Sequence, residues 1–215
     1  MEFEQQTVCD VYSKIAERFN QTRGYGWSWI KNFVESLPEN SLIYDIGCGS
    51  GRNMLYPNHK FIGVDNCDNF LNICTMKGLN VIKSDMCSLP FVDNSADALM
   101  VIASFHHLST ETRRISALKE FTRVIKDNGK ILLSVWSIQQ PKKTRRTFDK
   151  YGDTIVPWDQ FGEIHNRYYY IFQIENIKIL FNKCGLTIDS HTWDCGNEVF
   201  ILSKNVSNLK LIPIV

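Results

Sequence analysis

Residues 42–53, Leu-Ile-Tyr-Asp-Ile-Gly-Cys-Gly-Ser-Gly-Arg-Asn, carry an apolar strand straight into a glycine-rich turn. Three glycines in five positions (Gly47, Gly49 and Gly51) let the backbone bend sharply and a ligand approach it closely. A turn of this kind seats a pyrophosphate at a helix N-terminus in dinucleotide-binding proteins. Asp45, two places before the first glycine, argues against that use, because a carboxylate at the strand end repels an anion. The site suits a ligand with an ammonium beside a carboxylate. Asp45 favours the ammonium, and backbone N–H groups favour the carboxylate.

Two more strand ends extend the pattern. Lys60-Phe61-Ile62-Gly63-Val64-Asp65 ends in an acid fourteen residues after Gly51, placed to accept both hydroxyls of a ribose. A third strand, Asn80-Val81-Ile82-Lys83-Ser84, leads into Asp85-Met86. There a carboxylate can take an adenine amino group while Met86 lies on the ring face. The glycine turn alone fits a dinucleotide as well. The three acids together describe S-adenosylmethionine, a nucleoside with an amino-acid tail. The expected cofactor residues are therefore Asp45, Gly47, Gly49, Gly51, Asp65, Asp85 and Met86, with no metal site.

The remaining pattern alternates strands and helices without repeats or low complexity. Val8, Val11, Ile15, Ala16 and Phe19 recur at helical spacing, and a second helix is expected over 27–37, stopped by Pro38. Residues 96–103 form a near-continuous apolar run, as in a parallel strand buried on both faces. A helix over 110–125 follows, and Asp127-Asn128-Gly129 turns the chain into a strand over 130–136. Residues 137–166 read as a polar insertion rich in Lys, Arg and Gln. A helix over 171–184, capped by Gly185, precedes a closing hairpin of 186–193 and 198–203. The expected fold is α/β: a class I, Rossmann-like sheet of seven mostly parallel strands with an antiparallel last strand and helices on both faces. One domain is expected over 1–215, with N-terminal helices in 7–37 and the basic insertion in 137–166.

At 215 residues and 44% hydrophobic content the chain can bury a sizeable core. Its net charge of +1 provides no global basic field for nucleic acid, so any such binding must rest on local clusters. No apolar run reaches transmembrane length, the start is no signal peptide, and no membrane partner is expected. Seven cysteines, odd in number and without a Cys-x-x-Cys pair, argue for reduced thiols in cytosol or nucleus.

Four groups outside the cofactor pattern stand out: Asn20-Gln21-Thr22-Arg23 with Trp27 and Trp29; Ser104-Phe105-His106-His107-Leu108-Ser109-Thr110 after the fourth strand; Lys142, Lys143, Arg145 and Arg146, then Val156-Pro157-Trp158; and Arg167-Tyr168-Tyr169-Tyr170. Val11-Tyr12, Ile15-Ala16, Phe19, Thr22-Arg23 and Trp27 resemble the opening of the tRNA wobble-uridine carboxymethyl methyltransferases. His106 to Thr110, Arg113-Arg114, Val135-Trp136, Gln140, Val156-Pro157-Trp158 and Arg167-Tyr168-Tyr169 resemble their later motifs. The chain departs from the family at Tyr170, where His is usual, and at Ser28, where Pro is usual.

The resemblance implies methyl esterification of 5-carboxymethyluridine in the tRNA anticodon loop. His107, His106, Arg23 and Arg167 are then the catalytic candidates, and Arg23, Trp27, His107, Arg167, Tyr168 and Tyr169 the substrate-binding ones. It also implies a small zinc-binding activator subunit, paired along the edge strand Asn80 to Ser84 in a heterodimer. Plainer readings compete. One histidine of the pair faces the core, Ser109 or Thr110 caps a helix, and Arg113-Arg114 is a solvated helix face. Trp27 and Trp29 pack as a lid, and residues 168–170 are aromatic core. A small-molecule methyltransferase and a non-catalytic scaffold are the rival functions.

Overall fold

The computed structural model describes residues 2–22, 26–142, 144 and 146–205. Helix α1 (Glu2–Glu4) passes through a π-helical segment (Gln5–Cys9) into α2 (Asp10–Gln21), and α3 (Ser28–Glu35) follows with Trp27 at its N-cap. Then come β1 (Leu42–Ile46), β2 (Lys60–Asp65), α4 (Asp68–Met76), β3 (Val81–Lys83) and β4 (Ala96–Ile102). Next are α5 (Glu111–Val124), β5 (Ile125–Trp136), β6 (Gly152–Gln160) and β7 (Glu163–Ile171). The described chain closes with α6 (Ile174–Lys183), β8 (Leu186–Asp194) and β9 (Asn197–Lys204).

Seven strands form one sheet in the order β3-β2-β1-β4-β5-β9-β8. The pairs from β3 to β5 are parallel, and β9 runs antiparallel to both β5 and β8. β4 sits at the centre, and its side chains alternate between two cores. Leu99 and Val101 join Leu118 and Phe121 of α5 and Phe181 of α6 on one face. Ala98, Met100 and Ile102 join Ile30, Phe33 and Val34 of α3 on the other. Each large apolar side chain buried this way contributes about 1.5–3 kcal/mol, so the central strand anchors both helical layers. Among the described residues no helix is long and apolar enough to cross a membrane.

Three expected boundaries are corrected. The 137–166 segment is not merely a polar insertion: β6 and the start of β7 lie within it, as parts of a separate antiparallel hairpin. Its two-residue turn is Phe161-Gly162, with φ of 55° and 87°, the left-handed pair that suits strand twist. Charged and amide residues on the exposed positions hide the period of two. β5 begins at Ile125, with an irregularity between the Ala96–Ile125 and Ala98–Lys130 pairs, so Asp127-Asn128-Gly129 lies inside the strand. α6 begins at Ile174, because β7 runs on to Ile171.

The glycine turn follows β1 and packs against Ser104, just after the central strand. Gly47 has φ +73°, and a Cβ there would lie 2.3 Å from the Cβ of Ser104. Gly49 has φ +53°, but a Cβ there would meet no protein atom within 4 Å. Gly47→Ala is therefore expected to cost more than about 2 kcal/mol, and Gly49→Ala only about 1 kcal/mol, in denaturant-induced unfolding.

Candidate active site at the carboxyl ends of the strands

A cavity of about 860 Å³ opens where β1, β2 and β4 end, bordered by the N-terminal helices and roofed by the β6–β7 hairpin. The glycine turn lies on one side. Gly49 N–H donates to Asp65 Oδ2 at 2.8 Å, and Cys67 N–H donates to Oδ1 at 2.9 Å. Each oxygen keeps an acceptor position for a ligand hydroxyl. Burial nevertheless holds the Asp65 carboxyl above its usual range, against those backbone donors. Asp85 behaves oppositely. Burial works upward, but the Cys87 N–H and the Arg113 guanidinium at 2.7 Å outweigh it and hold the carboxyl low.

Asp45 lies directly behind the lining residues Ile46 and Gly47. It is fully buried, and neither carboxylate oxygen has a hydrogen-bond partner. Burial first, and the neighbouring Asp65 charge second, push its carboxyl up to about 7, with Arg52 opposing. Buried carboxylates ordinarily find donors. An orphan beneath a glycine turn marks a place for a cation.

The hairpin supplies the opposite charge. Arg167 is 3% exposed, and its guanidinium lies 4.9 Å from the Trp158 ring centre. It donates to Tyr169 Oη at 2.8 Å, its Nε has no partner, and no acid pairs with it among the described residues. From Tyr169 a chain of hydrogen bonds runs to Tyr12 Oη (2.9 Å) and on to His107 Nε2 (3.1 Å). His107 Nδ1 lies 2.7 Å from the Tyr168 carbonyl, so Nδ1 carries the proton and Nε2 accepts. Burial lowers His107 to about 4, helped by the charge of Arg167, so it is neutral at pH 7.

The expected residues do not all converge. Asp65, Asp85, Met86, the turn glycines Gly47 and Gly49, Trp27, His107, Arg167 and Tyr169 line the cavity. Gly51 lies behind the turn, against Leu79 and Cys74. His106 does not line it: the two histidines are adjacent in a 3-10 turn and diverge. His106 Nδ1 accepts the Trp136 N–H at 3.0 Å, and its ring packs on Trp136 and Tyr169 within the core. Tyr168 is also corrected, since it falls on the face of β7 opposite Arg167 and Tyr169. Its hydroxyl donates to Asp153 at 2.6 Å and its ring meets Phe3. Arg23, Lys143 and Arg145 lie outside the described residues.

Other residues take places outside the expected site. Arg113 is no solvated helix residue: besides Asp85 it pairs with Glu4 at 2.6 Å. Arg114 is buried, its guanidinium 3.4 Å from the ring centre of Tyr170. The Tyr170 departure therefore lies behind the site and alters no lining residue. Thr110 caps α5 by accepting from Arg113 N–H. Tyr12 carries a family pattern but no sequence-level role, and the Glu4–Arg113 pair spans 109 positions, beyond any local signal.

A sheet of this order, with a glycine turn after β1 and acids closing β1 and β2 and following β3, defines the class I methyltransferase fold. Residues 44–133 match the family model described as a methyltransferase domain. The chain is 35% identical over 228 residues to the tRNA (carboxymethyluridine(34)-5-O)-methyltransferase of Schizosaccharomyces pombe, covering 95% of this chain and 99% of that relative. It belongs to that family. A relative of the same name from Arabidopsis thaliana is 42% identical over 140 residues, 65% of this chain but 35% of the relative's length. In structure, the chain resembles one chain of the complex between the Haloferax volcanii Trm112 methyltransferase activator and the putative methyltransferase. The TM-score is 0.66 at 14% identity, covering 90% of this chain and 97% of that one, which shows the fold alone.

The raised Asp45 carboxyl has a stability consequence. Folding favours its protonated form, so its contribution is complete below the unfolded value of 3.8 and is lost as pH rises to about 7. Relative to Asp45→Asn, the ligand-free wild type is expected to lose on the order of 4 kcal/mol across that window, read from urea unfolding at several pH values.

Proposed function

We propose that this chain transfers a methyl group from S-adenosylmethionine to the carboxylate of 5-carboxymethyluridine at the tRNA wobble position, giving the methyl ester. One observation carries the reading: among the described residues the buried Asp45 carboxyl, next to the cavity-lining Ile46 and Gly47, has no hydrogen-bond donor, and the buried Arg167 in the cavity wall has no acid partner. A cationic cofactor and an anionic substrate meet both needs.

The residues present fit the cofactor. Asp45 offers two orphaned oxygens to an ammonium, the open space at Gly49 leaves room for a ligand against the backbone, and Asp65 keeps acceptor positions for ribose hydroxyls. Asp85 and Met86 line the region proposed for adenine, and Arg113 fixes the Asp85 carboxylate. When bound, S-adenosylmethionine supplies a methyl group made electrophilic by its sulfonium. The acceptor carboxylate, with a pKa of about 4, is already ionised at neutral pH and needs no general base. This agrees with a neutral His107 whose two nitrogens are both engaged.

Arg167 orients the substrate carboxylate, and the hydrogen-bond chain to His107 holds Arg167 and the hairpin in place. Trp136, Trp158 and Tyr169 exclude water, which strengthens attraction between the opposite charges that the reaction consumes. Lys142, exposed in the segment before the hairpin, is available for phosphate contact with tRNA, while Arg146 lies over the Trp136 ring at the cavity.

A small zinc-binding activator is proposed along β3, which pairs with β2 and leaves its other edge open. The activator named with the Haloferax structure supports a partner of this kind. Seven free thiols support a reducing compartment, and we place the chain in the cytosol, with the nucleus open to it.

The test is methyl transfer from labelled S-adenosylmethionine to tRNA bearing 5-carboxymethyluridine, with unmodified tRNA as control and activator added or omitted. An ester formed only on the carboxymethylated tRNA supports the reading. Cofactor binding without transfer, activator present, sinks the substrate, and no cofactor binding favours the scaffold. Arg167→Gln is expected to lower kcat/KM by about 100-fold or more with cofactor affinity little changed. Cofactor affinity of the wild type should rise roughly fivefold from pH 6 to 7 as Asp45 ionises, and Asp45→Asn should abolish that slope in calorimetric titrations.

A further inference from the structure

The cavity has a further unmet group, on the strand side away from the proposed cofactor residues. Asn197 is the first residue of β9 and lines the cavity, yet it is only 4% exposed. Its Nδ2 donates to the Asp194 carbonyl at 3.2 Å, which fixes the amide orientation. Its Oδ1 then has no hydrogen-bond partner. An acceptor so deeply buried calls for a ligand donor.

Position decides which ligand supplies it. In the sheet order β9 lies two strands beyond β4, about 10 Å at ordinary strand spacing, and farther still from β1 and β2. The proposed cofactor contacts sit at the ends of β1, β2 and β3. Asn197 is instead paired in register with Trp136 at the end of β5. The Trp136 ring stacks on Tyr169 at 4.0 Å, and Tyr169 accepts from Arg167. Asn197 and Arg167 therefore flank one aromatic pair. A uracil carrying a carboxymethyl group at C5 presents its carboxylate on one edge and a single ring N–H donor, at N3, on another. We infer that Asn197 is a specificity-determining residue whose Oδ1 accepts the N3–H of the substrate uracil while Arg167 takes the carboxylate. This rests on the substrate reading above.

The probe is a pair of anticodon stem–loops, one with 5-carboxymethyluridine and one with its N3-methylated form, which lacks the donor. The wild type, with activator, is expected to prefer the first by about 100-fold or more in kcat/KM, because the second leaves the buried acceptor unpaired. Asn197→Ala should cut that preference below about tenfold, since acceptor and steric conflict are removed together. Asn197→Asp, which keeps an acceptor, should retain the preference even if its overall rate falls. A general loss of folding would lower both rates alike and leave their ratio unchanged. Equal use of the two stem–loops by the wild type, or an unchanged ratio in Asn197→Ala, overturns the inference. A wild type inactive on the unmethylated stem–loop overturns the substrate reading, and this one with it.

Discussion

The site depends on how closely the ends of β1 and β4 approach each other. The Ser104 hydroxyl donates to the Ile46 carbonyl at 2.8 Å, and Gly47 fits beside it because it has no side chain. Here the strand order reverses: the chain steps outward from β1 through β2 to β3, then returns to β4 on the other side of β1. Open α/β sheets bind ligands at such a switch point. With the gap held at this width, the glycine turn faces one half of the cavity and the turn carrying His107 faces the other.

The second half is organised by direction as well as distance. Arg167 can only donate, so the Tyr169 oxygen accepts from it, and the Tyr169 proton is free to pass to Tyr12. Tyr12 in turn donates to His107, whose other nitrogen is committed to the Tyr168 carbonyl. One neutral imidazole thus sets the polarity of the whole chain. It also joins α2, the turn after β4 and the hairpin, three elements far apart in sequence.

The acids at the strand ends are legible in the sequence and the hairpin side of the cavity is not, for definite reasons. Asp45 and Asp65 close apolar strands and Asp85 follows one, so position along the chain is position in space. Tyr168 and Tyr169 required knowing that their segment is a strand, since only a period of two sends them to opposite faces. The amides and charges of 137–166 masked that period. His106 and His107 could not be separated because adjacent residues in a 3-10 turn diverge by an angle no pattern reveals. Arg113 followed the periodicity of an exposed helix face, yet its partners come from β3's far end and from the first turn of α1.

That last arrangement links the beginning of the chain to ligand occupancy. Glu4 accepts from the Ser109 N–H at 2.6 Å and from its hydroxyl at 2.8 Å, and its other oxygen holds Arg113, which holds Asp85. The first helical turn and the region proposed for adenine are therefore mechanically in series. A ligand held by Asp85 would by reciprocity be coupled to the Glu4 contacts, each favouring the other by the same factor. The π-helical segment immediately after Glu4 is where such a clasp has room to yield.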